Sequence, residues 1–294
     1  MKNLFQYIND QKNKIIFFTT LFLIIQVFFL IFSLGVDIPQ SDEIDFIPFV
    51  KTFFDDGPWW EDSHFLQHYD HRLIIPSFFL LISSVLDKGN IVNQMYFAVS
   101  FLIVVIISLY YLLKRTNTDL VWLSIPIALI IFNAGQFGCY LWGLCAITWF
   151  LTSAAMILSI FFISKIVTNR FAIILAIVFS IVASFTDFHG LLVWIVGGFG
   201  LLFLPEKRKR SLLIWSLSAL VVYAIYFTNY THGSWNGIQY NTLLTIEGIE
   251  YVLVFLSNGL ISHIRYTYPI QITFGIIILI IMIGGPIYLK IKKR

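Results

Sequence analysis

The chain has 294 residues, 59% of them hydrophobic and 12% charged, against about 25% charged in an average soluble domain, which excludes a soluble globular protein. Nineteen Lys and Arg against sixteen Asp and Glu leave +3, diluted in apolar sequence, which excludes a nucleic-acid binder, whose bases cluster on one face. Disorder, collagen-like repeats and a disulfide scaffold are excluded as well: the two cysteines, Cys139 and Cys145, sit nearly two turns apart on one apolar stretch, too far to bridge.

A spanning helix takes about 20 mainly apolar residues, and residues 15–35 supply the first, behind Lys2, Lys12 and Lys14. Its apolar core is too long for a signal peptide, and no small-residue cleavage site follows before Asp37. Residues 36–72 form a first outer loop with nine acids against two bases. The acids are interleaved with Ile44, Phe46, Ile47, Phe49, Val50, Phe53 and Phe54, which recur at helical spacing. A short amphipathic helix at the membrane surface is predicted, with Ser41 or Asp42 as its cap, ending at Gly57-Pro58, and with Trp59 and Trp60 at headgroup level.

Asp42 and Glu43 diverge by about 100° on a helix, so they do not address one atom. Asp42 or Asp45 is a candidate base for an acceptor hydroxyl, with Glu43 structural or on a second ligand; solvated surface acids are the alternative. Gln67-His68-Tyr69-Asp70-His71-Arg72 is the densest polar cluster. On a helix His68 and His71 share a face, a spacing that can hold a divalent metal with Asp70 or a loop acid; hydrogen-bonded or phosphate-facing histidines are the alternative. No other cofactor is indicated. Arg72 reads as a phosphate clamp or as a snorkelling anchor.

Further apolar runs lie near 92–113, 120–137, 140–164, 171–186, 191–204, 212–228 and 269–289, with shorter ones at 73–86 and 251–262. Thr186-Asp187-Phe188-His189-Gly190 puts an acid and a histidine beside hydrocarbon, where they pair or line a cavity. The loop 229–250 mixes aromatics and amides suited to a sugar or to a membrane interface. Arg265 is a second candidate for a lipid phosphate, against structural pairing with an outer acid.

Fifteen of the nineteen bases fall in five clusters: the N-terminus, Lys114–Arg115, Lys165/Arg170, Lys207–Arg210, and Lys290 with Lys292–Arg294. Basic clusters accumulate on the cytoplasmic side. If 73–86 and 251–262 do not cross, eight crossings put all five clusters and both termini inside. All six histidines and thirteen of the sixteen acids then lie outside. The expectation is one all-α, multi-pass domain over 1–294 in the cell membrane, with about eight to ten membrane helices.

The string Pro39-Gln40-Ser41-Asp42-Glu43-Ile44-Asp45, followed by an amphipathic helix ending in Asp55-Asp56-Gly57 and by His71-Arg72-Leu73-Ile74-Ile75-Pro76, resembles the first outer loop of GT-C superfamily glycosyltransferases. That superfamily includes the protein O-mannosyltransferases and the lipid A aminoarabinose transferases. Tyr69 and Asp70 stand where a related string has Asn and Glu, and the Pro-Pro of the family's entry motif is absent. The resemblance covers roughly residues 15–90. It implies Asp42 and Glu43 as the acidic pair, with Asp42 as base; Asp45, His68, Asp70, His71, Arg72, Asp187, His189 and Arg265 are the candidate substrate contacts read from the residues themselves. The implied donor is a polyprenyl-phosphate sugar, used at the outer face on an unidentified acceptor. A transporter or flippase of lipid-linked saccharides, or a non-catalytic subunit of the same fold, are the other readings.

Overall fold

The computed structural model describes residues 11–169, 171–203, 208–231, 245–258 and 268–292. Among them every regular element is helical, and five segments are long and apolar enough to cross a membrane: Lys12–Leu34, Ile91–Thr116, Thr118–Tyr140, Gly143–Ile163 and Lys209–Phe227. The first of these, α1 (Lys12–Leu34), buries one stripe, Ile16, Leu23, Val27 and Ile31. Its opposite face exposes Phe18, Phe22, Phe29 and Phe32. A helix apolar all round yet half uncovered has hydrocarbon as its outer neighbour.

The contacts divide the chain into two compact units, 1–233 and 234–294. In the second unit α13 (Ile246–Asn258) packs on α14 (Tyr268–Lys292). Gly275 admits the Leu253 carbonyl where a Cβ would lie 2.1 Å from it.

In the first unit the loop holds α2 (Asp42–Asp45), α3 (Ile47–Phe54) and α4 (Ser63–Leu66), followed by α5 (Ile74–Asp87) and α6 (Ile91–Thr116). The segment 118–140 is broken rather than continuous: α7 (Ser124–Ile131) and α8 (Phe137–Tyr140) are separated by a 3-10 turn at Ala134–Gln136. The unit continues with α9 (Gly143–Ile163), α10 (Ala172–Ser184), α11 (Leu192–Leu202) and α12 (Arg208–Phe227).

Helix α9 is central, packing on both α6 and α10. One core joins α1, α6, α7 and α9 through Val27, Met95, Ala98, Ala128 and Ile147. A second joins α9 to α12. There the small residues Ala155, Ala172, Ala176 and Ala183 let backbones approach, and Ser159 and Ser180 share a 2.8 Å hydrogen bond.

Polar contacts sort the helix ends. At one end the Lys12 ammonium reaches the Thr118 carbonyl at 3.3 Å and the Tyr110 hydroxyl reaches Asn13 at 3.1 Å, bringing two basic clusters together. At the other, the Asp37 carboxylate accepts from the Ile91 N–H at 2.8 Å and the Ile75 N–H donates to the Phe185 carbonyl at 3.0 Å. Both ends of α5 are therefore held at the histidine-bearing end. Its fourteen residues extend only about 21 Å, short of a bilayer core of about 30 Å. Helices α10 and α11, with 13 and 11 residues, are also short by the same measure.

Candidate functional site

The first loop folds over the start of α9 as a third core. Phe46, Phe49, Phe65, Leu73, Leu80 and Leu81 close around Leu144, with Phe49 and Phe65 stacked at 5.5 Å. Trp59 packs against this cluster, on Phe49 and Phe65, whereas Trp60 is exposed. The amphipathic helix is broken at Phe46, and Ser41 does not cap it: with φ 44° the residue turns away and its hydroxyl donates to Asp42 at 3.1 Å.

The 100° divergence of Asp42 and Glu43 decides what each carboxylate does. Glu43 turns inward and is buried. One oxygen accepts from the Leu144 N–H at 2.7 Å and the other from the Gln40 N–H at 2.8 Å. Burial raises its carboxyl pKa, partly offset by those two N–H groups, and the Asp42 charge adds to the rise. It binds the N-terminus of α9, where a negative group is favoured, and Gly143 leaves the room: a Cβ there would lie 3.1 Å from the Glu43 oxygen.

Asp42 and Asp45, three residues apart, face the other way. The ligating atoms of Asp42, Asp45 and His68 all lie within 4.8 Å of one another, and His68 Nε2 sits 3.2 Å from Asp45. His68 is buried, with its ring beside Phe46 and Tyr69. One nitrogen and two carboxylates at this spacing have the donor chemistry to hold a divalent cation.

The expectation that His68 and His71 share a helical face is overturned. The two form a tight antiparallel turn, exchanging backbone hydrogen bonds at 2.8 and 2.9 Å, with Tyr69 at φ 51°. The turn sends the rings apart. His71 Nδ1 lies 3.6 Å from Asp187, and His189 Nδ1 lies 2.7 Å from the same oxygen. Asp187 is buried at 3% exposure and also accepts from the His189 N–H at 2.8 Å, capping a 3-10 turn. Burial by itself would raise the Asp187 carboxyl; the hydrogen bonds from the His189 ring and N–H, with His71 close by, outweigh it and hold the group well below the usual carboxylate range. Gly190 is required in this hairpin, since a Cβ would meet the Ala183 carbonyl at 1.9 Å.

Arg72 is buried and spends its guanidinium on backbone: Nε donates to the Tyr226 carbonyl at 2.5 Å, one terminal nitrogen to Leu66 at 3.0 Å and the other to Thr228. It closes the C-terminus of α12, where a cation suits the helix dipole, and is not placed as an open phosphate clamp. Asp70 receives the Tyr230 hydroxyl on its carbonyl at 3.2 Å. Arg265 lies outside the described residues.

Glu43 ties the first loop to the start of α9, and the 188–191 turn packs against the same helix. Sequence reasoning missed the backbone partners, Leu144 and Tyr226, because an N–H or a carbonyl has no residue signature. No protein-family model, curated protein or solved structure matches this chain.

Proposed function

We propose that the chain is an integral-membrane glycosyltransferase of the inverting kind, taking a sugar from a polyprenyl-phosphate donor at the outer face of the cell membrane, with both termini inside. The observation that supports this is the meeting of two Asp–His groups, Asp42/Asp45/His68 and His71/Asp187/His189, through one turn, at the end of the bundle away from the basic clusters.

In this reading Asp42 takes the proton from the acceptor hydroxyl as its oxygen forms the new bond to the anomeric carbon. The bond from that carbon to the phosphate oxygen breaks, and polyprenyl phosphate departs with the negative charge. Asp45 fixes His68 beside the base. His71 and His189, polarised by Asp187, face the developing phosphate charge. Glu43 and Arg72 position the loop.

The test is transfer from a polyprenyl-phosphate sugar by the purified, reconstituted protein. Asp42→Asn is expected to lower it by about 10²–10⁴-fold, the range of a lost general base, without loss of fold. Full activity in that variant removes Asp42 from the mechanism.

A further inference from the structure

Four bases lie outside the five basic clusters: Lys51, Arg72, Lys88 and Arg265. Arg72 is committed to carbonyls. Lys51, near the end of α3, and Lys88, the left-handed cap of α5, line one cavity of about 290 Å³. Among the described residues neither ammonium is paired with a carboxylate. Ile47, Val50 and Leu80 give the cavity apolar walls, and Glu43 contributes with both oxygens already on backbone N–H groups. Gln94 lines it too. This side chain is 5% exposed; its nitrogen donates to Ser83 and Gly89 at 3.2 and 3.3 Å, while its carbonyl oxygen is buried with no donor.

Two cations at the rim call for a phosphate, and a buried acceptor calls for a hydroxyl. Ile47, which lines the cavity, and Val85, one turn before Lys88 on α5, remain exposed, an apolar surface on which acyl chains can lie. We infer that this cavity is a binding site for an anionic glycerophospholipid headgroup, its phosphate between Lys51 and Lys88 and a headgroup hydroxyl on the Gln94 carbonyl. The site lies on the inward-facing side of the first loop, separate from the Asp42/Asp45/His68 group, and does not depend on the transferase reading.

The experiment is native mass spectrometry of the full chain released from nanodiscs of mixed phosphatidylglycerol and phosphatidylcholine. Phosphatidylglycerol is expected to be retained selectively. Each of Lys51→Gln and Lys88→Gln should weaken retention about fivefold and the pair about thirtyfold, as about 1 kcal/mol per interfacial lysine implies; Lys114→Gln should leave it unchanged. Phosphatidylmethanol, with the same charge and no headgroup hydroxyl, should be held less well. Undiminished retention in the double variant, equal retention of phosphatidylmethanol, displacement by free glycerol phosphate, or preference for polyprenyl phosphate would each overturn the inference.

Discussion

His68 and His71 exchange both backbone hydrogen bonds across one tight turn, yet their imidazoles address different carboxylates, Asp45 at 3.2 Å and Asp187 at 3.6 Å. The turn therefore joins the first loop to the 187–190 hairpin, and its geometry rests on Tyr69 at φ 51°. A left-handed conformation costs an ordinary residue about 1–2 kcal/mol, is tolerated by Asn, and is an outlier for a β-branched residue. Tyr69→Asn is expected to keep the turn, whereas Tyr69→Val should be less stable than Tyr69→Asn by about 1–2 kcal/mol. Thermal unfolding of the detergent-solubilised variants measures the difference, and equal stabilities would contradict the role given to the turn.

The Asp187–His189 pair predicts a stability window in pH. The carboxyl is held below its ordinary value of 3.8, so its contribution is present above that value and is lost as pH falls toward the depressed one. The hydrogen bond to Asp187 raises the His189 pKa above 6.5, against the effect of burial, so that contribution is present below 6.5 and lost as pH rises through the raised value. The stability gap between the native chain and Asp187→Asn should be widest between these two ordinary values and narrow on either side. A gap independent of pH would show that the two groups are not coupled.

Hydropathy made the long helices legible, since length and apolarity decide them with little help from packing. Helical geometry also made legible that Asp42 and Glu43 must part, and they do. The break at Phe46 was not legible: burying both Phe46 and Phe49 around Leu144 is a tertiary demand that local periodicity does not express. The His68–His71 spacing suits a helix equally well on paper; the turn is favoured by partners distant in sequence, Asp45 for one ring and Asp187 for the other. Residues 73–86 were legible as a short apolar run, and the helix there has 14 residues.

Neighbouring acids should separate cleanly by phenotype. Glu43→Ala leaves the Leu144 and Gln40 N–H groups without an acceptor, and each buried donor so stranded costs about 1–3 kcal/mol. Asp42→Asn removes no backbone partner and is expected to leave the unfolding temperature near native while lowering the proposed transfer by about 10²–10⁴-fold. If Asp42→Asn destabilises as much as Glu43→Ala, the division of labour between the two acids is wrong.

Arg72→Lys tests the fork rather than the charge. Lysine retains the cation but cannot supply three nitrogens in the planar array that reaches Tyr226, Thr228 and Leu66. A loss of about 1–3 kcal/mol is expected, from carbonyls left without donors. Proteolysis should increase around 228–231, where α12 ends. Native stability in Arg72→Lys would return the residue to the role of a simple anchor.

A divalent cation provides the last test, because it separates the two Asp–His groups. Asp42, Asp45 and His68 hold three ligand atoms within 4.8 Å, whereas Asp187 is already occupied by two histidines and a backbone N–H. Added Mn²⁺ is expected to raise the unfolding temperature of the native protein, since a ligand that binds only the folded state stabilises it. That rise should vanish in Asp45→Asn and His68→Ala and persist in Asp187→Asn. Because the His68 nitrogen that faces Asp45 cannot serve both that carboxylate and a metal, binding must break the 3.2 Å contact, so affinity is expected to be modest. A shift that survives His68→Ala would place the ion elsewhere and leave His68 a hydrogen-bonded partner of Asp45.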